Sequence, residues 1–428
     1  MGYKLLSFLG PTKYIEAYYI YNKKSWKPCQ FIQEALLEFF CKKWKDDAQV
    51  VIFLTEKSKQ RNWLSKNECK DANFEKGLKK LLEEAKERLK LNITLKEVVI
   101  PEGKNEEELW EIFEKINDSI DKNDTLIFDI THSFRSLPML TFVALNYVRF
   151  LKDAKIKQIV YGAMEALGPS SKVREMPLEK RVIPVLDLTL FESLFDWTIA
   201  VERFLKTGNA EMINKLGIEE LKPLLAETKG EVGGGLRGLV TSLNSFSQNV
   251  LTCRAPDFRS SIKRILNSLP KAEKELERLR RFKPLFEKIK ERFSDMRIDN
   301  EIICGLEVSS WCLEKGLIQQ GLTILREAII NYVIINILES NRLKKPGKRK
   351  NTDYREIAEV LLNNRYEKIP VQILNLWDEI KEYRNDINHG GWREQNYHLP
   401  DDFKNKLSKF IERFRSFLQE EEINAKDT

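Results

Sequence analysis

Residues that bind metals or form disulfides are scarce in this sequence. The 428 residues include three histidines and six cysteines, and no two cysteines are spaced as Cys-x-x-Cys. Zinc sites use closely spaced ligand pairs, and disulfide frameworks occur mainly in short secreted chains, so we expect neither. The thiols are predicted to be reduced, which favours the cytoplasm, and no metal or other cofactor is predicted.

Long uninterrupted apolar segments are also missing. The apolar run near the N-terminus, residues 5–9, is too short for a signal peptide. The most apolar later segment, residues 322–338, includes Arg326 and Glu327, so we predict a buried helix and no membrane span. Residues 1–190 contain neither Gly-x-Gly-x-x-Gly nor Gly-Lys-Ser/Thr, so a nicotinamide site and a P-loop both lack support.

Glycine and proline are few as well, with 19 and 14 residues, whereas charged residues make up 32% of the chain and hydrophobic residues 42%. This composition is typical of a folded, helix-rich protein. The length allows two or three domains, each with its own core. The net charge of +7 is a mild excess, which permits nucleic acid as a partner without requiring it.

Short β-rich runs alternate with helical patterns over residues 1–190. Strands are predicted at residues 4–9, 50–55, 95–100, 125–130, 158–162 and 182–186, and helices at 31–44, 74–91, 106–121 and 137–152. Strands that alternate with helices form a parallel sheet, so we predict a Rossmann-like, doubly wound α/β domain. The continuously apolar run at 50–54 is typical of a central strand covered on both faces.

Two loops rich in hydrogen-bond donors follow predicted strands of this domain. Residues 8–14 (FLGPTKY) leave the first strand, and residues 126–138 (LIFDITHSFRSLP) include the fourth strand and the loop after it. Ligands of such sheets bind beyond the carboxyl ends of the strands, where the two loops should meet. Lys13 and Arg135 can supply charge, and the helix after Ser136 can offer free N–H groups to a phosphate. Each loop alone fits an ordinary turn, but together they favour a phosphate-rich ligand.

The rest of the chain is predicted to be helical. Residues 191–300 are interpreted as a connector, with a flexible turn at the three glycines 233–235, and residues 301–428 as a helical bundle. A basic segment broken by proline and glycine, residues 342–350, can either hold RNA phosphates or form a mobile surface loop. His398 has no motif around it and is interpreted as structural or exposed.

The segment 383–391 (YRNDINHGG) carries Arg384 and His389 at the end of an apolar-periodic helix. The two glycines predict where the helix stops, so His389 should lie at or just past its last turn. Five residues turn through about 500° on a regular helix, which leaves the two side chains about 140° apart. For both to reach one phosphate, either the helix end unwinds or two chains share the site.

With an asparagine after the arginine, this Arg-x4-His pattern resembles the HEPN family of ribonucleases. Residues 8–14 and 126–138 resemble the CARF domain of type III CRISPR ancillary ribonucleases, which join an N-terminal CARF sensor to a C-terminal HEPN nuclease. The two motifs occur in that order in this chain. It departs from the family pattern at 10–14, where Gly-Pro-Thr-Lys-Tyr replaces the usual Gly-Thr-Gly-Lys-Tyr, and at Ser133, where glycine is usual.

The resemblance implies a CARF effector-binding domain at 1–190, a helical connector at 191–300 and a HEPN nuclease domain at 301–428. It implies a homodimer, or a higher oligomer, that binds cyclic oligoadenylate as an allosteric activator. The implied reaction is metal-independent cleavage of single-stranded RNA in antiviral defence, with 2′,3′-cyclic phosphate products. The implied catalytic residues are Arg384, Asn385 and His389. The implied effector-binding residues are Gly10, Pro11, Thr12, Lys13, Tyr14, Thr131, His132, Ser133, Phe134 and Arg135.

Two other functions are compatible with the sequence. One is a nucleic-acid-binding or regulatory protein with a noncatalytic helical domain, and the intact pair of Arg384 and His389 argues against it. The other is a nucleotide-dependent small-molecule enzyme built on the α/β domain, and the missing dinucleotide fingerprint argues against that. The ring size of the effector, the RNA base preference and slow degradation of the effector by the CARF domain stay open.

Overall fold

The chain divides into two units by its internal contacts, Met1–Ser193 and Leu194–Thr428. The computed structural model describes residues 2–25, 27–44, 48–131, 137–227, 234–276, 282–339, 354–392 and 397–424. The basic segment 342–350 lies outside these residues. The predicted boundary between connector and helical bundle, near residue 300, stays a prediction.

A mixed sheet forms the centre of the first unit. Its strands are β1 (Tyr3–Leu9), β2 (Tyr18–Tyr21), β3 (Lys24–Ser25), β4 (Ala48–Leu54), β5 (Ile93–Val99), β6 (Thr125–Asp129), β7 (Lys155–Gly162) and β8 (Val182–Asp187). Their order across the sheet is β3-β2-β8-β7-β6-β1-β4-β5. All six strands that the sequence predicts are therefore present, at bounds shifted by a few residues.

The central strands run parallel. β1 pairs with β4 and β6, β4 with β5, and β6 with β7, all in parallel, as predicted. β8 runs antiparallel to β7, so the prediction of a parallel sheet is wrong at this strand. The segment between β7 and β8 forms short helical turns (Met164–Leu167, Ser170–Glu175 and Leu178–Lys180), whereas a parallel connection usually needs a longer crossover helix. The hairpin of β2 and β3 extends the sheet beyond β8. The sequence does not predict this hairpin, because strands of four and two residues are too short to show alternation. Its turn residues, Asn22 and Lys23, have positive φ angles of 48° and 65°, as tight hairpins require.

Helices and apolar side chains cover both faces of the sheet. The helices of this unit are α1 (Ile32–Leu36), α2 (Glu56–Ser58), α3 (Leu78–Leu89), α4 (Glu106–Asp118), α5 (Leu137–Lys152) and α6 (Ser170–Glu175). α1 and α2 continue as π-helical turns, Leu37–Cys41 and Lys59–Trp63. Within β4, Val50 and Ile52 join one apolar cluster and Val51 joins the other. This confirms that the strand is covered on both faces.

The regular secondary structure described in the second unit is all helical. Its helices are α7 (Thr189–Thr207, which begins in the first unit), α8 (Glu211–Glu227), α9 (Gly234–Leu251), α10 (Phe258–Leu276), α11 (Lys283–Ser294), α12 (Glu301–Glu314), α13 (Ile318–Val333), α14 (Tyr354–Asn363), α15 (Val371–Asn388) and α16 (Pro400–Asn424). One core cluster surrounds Trp311 with Phe204 and Phe293. A second cluster contains Trp377 and Tyr332.

Helix α9 begins at two of the three glycines for which the sequence predicts a flexible turn. A Cβ on Gly235 would lie 2.7 Å from the backbone of Lys271, so the absence of a side chain allows α9 and α10 to pack closely. Glu275 accepts hydrogen bonds from the N–H groups of Gly235 and Leu236, at 3.0 and 2.9 Å. The turn prediction is therefore wrong for Gly234 and Gly235, because close packing and a carboxylate cap stabilise a helix there.

The apolar segment near residue 330 is a core helix. Among the described residues, Ile318–Leu338 is the stretch long and apolar enough to cross a membrane by length and composition, and 67% of its most apolar window is buried. Arg326 within it is buried, pairs with Glu327 and Glu359, and lies 4.8 Å from the Trp377 ring centre. Paired charges can be buried in a protein core, so the prediction of a buried helix is confirmed.

Candidate functional sites

The carboxyl ends of β1 and β6 lie side by side at one edge of the sheet. The two strands pair in parallel, with Ser7 opposite Asp129, so their carboxyl ends leave the sheet together. The two loops therefore start from neighbouring strand ends, and their predicted meeting stays a prediction because residues 132–136 lie outside the described residues. On the first loop, Thr12 and Lys13 are exposed to solvent. Their hydroxyl and amine are thus accessible at the edge where ligands of parallel sheets bind.

The first loop is held in shape by its own tyrosine and by a distant asparagine. The Tyr14 hydroxyl accepts a hydrogen bond from the N–H of Gly10 at 2.7 Å, and Asn62 Nδ2 donates to the carbonyls of Gly10 and Thr12 at 2.7 and 2.8 Å. Tyr14 is buried, and burial raises its pKa far above the usual value. Its side chain therefore shapes the loop from inside, and its predicted contact with an effector stays a prediction.

A buried carboxylate supports the start of the second loop. Asp129 is fully buried and accepts hydrogen bonds from the Ser7 hydroxyl at 2.6 Å and from the Thr131 backbone N–H at 3.0 Å. The Thr131 hydroxyl donates to the same carboxylate and accepts from the N–H of Gly162 at 2.8 Å. Burial raises the pKa of Asp129, and the bonds from Ser7 and Thr131 partly oppose that shift. Thr131 is thereby fixed where β6 ends.

The remaining predicted residues of the second loop lie outside the described residues, and their contacts stay predictions: His132, Ser133, Phe134 and Arg135. The structure adds two residues that sequence reasoning missed. Asn62 reaches Thr12 from 50 positions away, and Arg174 Nη2 donates to the Lys13 carbonyl at 3.3 Å from 161 positions away. No sequence signal marks either residue, because only the fold brings them to this edge.

The second candidate site lies at the end of α15. The helix ends at Asn388, and His389 follows as the C-cap residue, as the sequence predicts. The His389 N–H donates to the Asn385 carbonyl at 3.0 Å. Gly390 and Gly391 have positive φ angles of 63° and 71°, which glycine adopts without strain at a helix end. The His389 side chain is exposed, so a substrate can reach it.

Arg384 is half-buried one turn earlier on α15. When the Asn388 amide is oriented with its oxygen towards Arg384, that oxygen accepts from Nε at 2.8 Å and from Nη2 at 3.3 Å. Asn385 Oδ1 lies 3.5 Å from Nη1, which is a weak contact. Among the ion pairs of the described residues, none includes Arg384. The guanidinium is thus oriented by neutral amides and keeps its charge for an anion.

The turn after α9 comes close to this arginine. Burial raises the pKa of the Cys253 thiol, the Glu327 carboxylate raises it further, and the Arg384 guanidinium lowers it. A hydrogen bond to Thr323 on α13 also lowers it. The thiol therefore lies within electrostatic reach of the guanidinium. The charge of Arg384 is thus felt by a residue of the predicted connector.

His398 contacts the same motif. Its backbone N and its ring Nδ1 lie 2.9 and 3.0 Å from Asp386 Oδ2. The two side chains are 14% and 2% exposed, so the contact is largely hidden from solvent. This confirms the interpretation of His398 as structural and adds a partner within the motif that the sequence does not indicate. The one sequence signal is rarity, since two of the three histidines follow α15 within ten residues of its end.

Family models match both units of the chain in part. Residues 4–165 match the CARF domain of the CRISPR system endoribonuclease Csx1. The first unit is similar to a CARF domain. Residues 193–301 match the second domain of the CRISPR-associated protein MJ1674. Together the two matches support a CRISPR-associated CARF protein.

Individual relatives agree with these matches over limited regions. The CRISPR-associated protein MJ1674 of Methanocaldococcus jannaschii is 31% identical over 121 residues, which cover 28% of this chain. The match spans only 18% of that curated relative's length. The structure of Enterococcus italicus Csm6 bound to cyclic hexa-2′-fluoro-hexa-dAMP aligns over 97% of this chain and 93% of that chain, at 14% identity and a TM-score of 0.46.

Proposed function

We propose that this chain is a cyclic-oligoadenylate-activated, metal-independent endoribonuclease, which cleaves single-stranded RNA in the cytoplasm during type III CRISPR antiviral defence. The observation that carries the proposal is the presence of Arg384 and His389 at one exposed helix end, in a chain whose first unit is similar to a CARF domain. The matched CARF model belongs to an endoribonuclease, which supports the same activity here. In this proposal the residues from 301 onward form a HEPN nuclease domain.

The proposed reaction uses the nucleophile that RNA itself carries. The 2′-hydroxyl loses its proton and attacks the adjacent phosphorus, and the bond to the 5′ oxygen breaks as that oxygen gains a proton. The products are a 2′,3′-cyclic phosphate and a 5′-hydroxyl. The imidazole of His389 suits one of these proton transfers, because histidine titrates near neutral pH. The Arg384 guanidinium can hold two phosphate oxygens at once, and Asn385 can help to orient it.

The proposed effector site is the sheet edge at which the loops after β1 and β6 meet. Exposed Lys13 and Thr12 can contact phosphates of a cyclic oligoadenylate. Helix α5 begins at Leu137, directly after the second loop, and the N–H groups at a helix start favour an anion. Arg135 and Ser133 on that loop complete the proposed set.

A homodimer is part of the proposal, because a shared cleft would let Arg384 of one chain and His389 of another act on one phosphate. Helix α5 offers a surface for such pairing. Its apolar residues Met139, Val143, Tyr147 and Phe150, which we call the α5 stripe, follow one another at helical spacing and are all exposed. Phe150 is 85% exposed, and monomeric proteins rarely leave such a row uncovered. A second copy of this chain is the proposed occupant, and higher oligomers would be built from that dimer.

The decisive experiment is a cleavage assay on single-stranded RNA in EDTA, with cyclic oligoadenylates of several ring sizes. We expect cleavage that depends on one ring size and products that end in a 2′,3′-cyclic phosphate. The linear oligoadenylate of the same length is the matched control, and it should activate weakly. Within the described residues, no three His, Cys, Asp or Glu side chains are grouped as metal ligands, and the EDTA arm tests whether the reaction needs a metal.

Each outcome of this assay separates the proposal from its alternatives. RNA binding without cleavage, with any effector, would favour the nucleic-acid-binding protein. Cleavage that EDTA abolishes would refute the metal-independent mechanism. Chromatography can measure how much intact cyclic oligoadenylate remains during the reaction. Its loss would show that the CARF domain also degrades its effector.

A further inference from the structure

The carboxylate of Asp386, inside the Arg-x4-His motif, depends on His398, which follows Asp386 by twelve positions and the end of the motif by nine. Asp386 Oδ2 accepts a hydrogen bond from the backbone N–H of His398 at 2.9 Å and lies 3.0 Å from its Nδ1. The Asp386 side chain is 2% exposed, and its other oxygen, Oδ1, has no hydrogen-bond partner in the described structure. A buried carboxylate needs hydrogen-bond donors. Both donors to the Asp386 carboxylate in the described structure belong to His398.

The His398 ring is held in one orientation. Its centre lies 3.8 Å from that of the Tyr383 ring, and the Phe403 ring meets it edge-on at 6.0 Å. Its Nε2 lies 3.6 Å from Glu382 Oε1. Because the carboxylate at Nδ1 can only accept, Nδ1 carries the proton. The ring is thus packed, oriented and hydrogen-bonded against three residues of the last turns of α15.

Asp386 also shapes the helix end through its backbone. Its carbonyl accepts hydrogen bonds from the N–H groups of His389 and Gly391, both at 3.2 Å. Those bonds close the turn in which Gly390 and Gly391 take their positive φ angles. One residue therefore joins the turn that carries His389, through its carbonyl, to the returning chain at His398, through its carboxylate.

We infer that His398 is a positioning residue of the nuclease motif, which acts through Asp386 to fix the helix end that carries His389. The inference rests on the proposed function, since positioning matters only if His389 is catalytic. His398 itself makes no contact with RNA in this role, because 14% of its side chain is exposed and its two ring nitrogens face carboxylates. Misplacing a reacting group by about 1 Å costs up to about 10²-fold in rate, which sets the scale of the effect.

The test compares three substitutions at one position. His398→Asn keeps an N–H donor near the place of Nδ1, His398→Gln moves the donor towards the place of Nε2, and His398→Ala removes it. We expect His398→Asn to keep most of the wild-type kcat, and the other two to lower kcat by about 10- to 10²-fold. KM for RNA and affinity for the effector should stay unchanged in all three, because neither ligand touches His398.

A second readout does not need RNA cleavage. The amides of His389 and Gly391 are bonded to carbonyls of α15, so hydrogen–deuterium exchange reports how firmly the helix end is closed. We expect faster exchange at these amides in His398→Ala and His398→Gln, and wild-type exchange in His398→Asn. Lys381→Ala, on the exposed side of the same helix, is the matched control and should leave exchange at these amides unchanged.

The two readouts separate failure of this inference from failure of the proposed function. If the wild type cleaves no RNA but the exchange pattern appears, the helix-end contact stands and the nuclease proposal falls. If His398→Ala keeps wild-type kcat and wild-type exchange, His398 positions nothing. If His398→Asn loses as much kcat as His398→Ala while its exchange stays at the wild-type rate, the ring itself takes part in the chemistry and the positioning role is refuted.

Discussion

Arg384 and His389 carry different parts of the proposed chemistry, so each substitution has its own expected cost. His389→Ala removes a proton-transfer group, which is typically worth about 10²–10⁴ in rate. Arg384→Ala removes stabilisation of developing phosphate charge, and removal of one such group costs about 10²–10³. Effector affinity should stay near wild type, because neither residue lies in the unit that resembles a CARF domain. The measurement pairs RNA turnover in EDTA with effector calorimetry.

A matched control lies on the same helix. Lys381 is exposed on α15 and donates only to Asn363 in the described structure, so Lys381→Ala should leave both turnover and effector affinity unchanged. Robust cleavage by His389→Ala would contradict the assigned chemistry. A large loss of effector affinity in either active-site variant would show instead that the whole fold had been disturbed.

Asp129 predicts how stability depends on pH. Burial raises its pKa above the ordinary value of 3.8, so the folded chain holds this proton more firmly than the unfolded chain does. Its contribution to stability is therefore greatest at low pH and is lost as the pH rises from the ordinary pKa through the raised one. Asp129→Asn lacks this titration, so the free energy of unfolding of the wild type should fall relative to the variant as the pH rises. Each unit by which the pKa is raised corresponds to about 1.4 kcal/mol.

Denaturant unfolding of both proteins across that pH range measures the difference directly. The absolute stability of Asp129→Asn is not the test, because its amide also replaces an acceptor that faces Ser7 and Thr131. A difference that stays constant with pH would show that the buried carboxyl does not titrate above its ordinary range.

At the scale of elements, the sequence predicted the parts of the fold that repeat a pattern. The strands β1, β4, β5 and β6 are rich in apolar or β-branched residues, although Lys96 and Glu97 interrupt β5, so their existence and their parallel order followed from alternation with helices. The β2–β3 hairpin was out of reach, because six residues in two strands show no periodicity. The π-helical turns after α1 and α2 were also out of reach, since their residues are ordinary helix formers.

Some features of the candidate sites could be predicted from the sequence, and others could not. The side-by-side ends of β1 and β6 could be predicted, because parallel strands place their carboxyl ends at one edge. The end of α15 could be predicted, because the two glycines after His389 mark it. Asn62 and the partnership of His398 with Asp386 could not, because each depends on a side chain that packing alone brings to the site.

At this scale we predict the effect of removing the Asn62 side chain, which holds the loop after β1 through two hydrogen bonds. Asn62→Ala leaves the carbonyls of Gly10 and Thr12 without their donor, which should lower the free energy of unfolding by about 1–3 kcal/mol. Effector affinity should fall at least about tenfold, equivalent to about 1.4 kcal/mol, because the loop must then be ordered during binding. Denaturant unfolding and effector calorimetry measure the two effects. Gln60 is exposed on the same π-helical turn, so Gln60→Ala should change neither the free energy of unfolding nor the effector affinity. An equal effect of Gln60→Ala would show that the Asn62 hydrogen bonds do not order the loop.

At the scale of the whole molecule, the α5 stripe predicts self-association. Phe150→Glu places a charge at the most exposed residue of a surface that the proposal covers with a second copy, and burying an unpaired charge is costly. We expect light scattering to show a dimer for the wild type at micromolar concentration and a monomer for the variant. RNA cleavage should fall together with the loss of the dimer, because the proposed cleft needs two chains.

The control for this substitution is Val360→Glu on α14, an exposed apolar residue outside the stripe, which receives the same charge. It should leave the molar mass of the wild type unchanged. A wild type that stays monomeric with and without cyclic oligoadenylate would refute the dimer, and a Phe150→Glu variant that still dimerises would place the interface elsewhere.

The α5 stripe also has a consequence for dosage. If catalysis needs two chains, the RNA cleavage activity per molecule depends on the concentration of the protein in the cell. Below the dissociation constant of the dimer, this activity rises steeply with expression level. A ligand bound across both first units would lower that threshold by mass action. The rate of RNA cleavage would then depend on both the effector concentration and the abundance of the protein. A cell that keeps few copies would therefore not cleave its own transcripts until the effector is made.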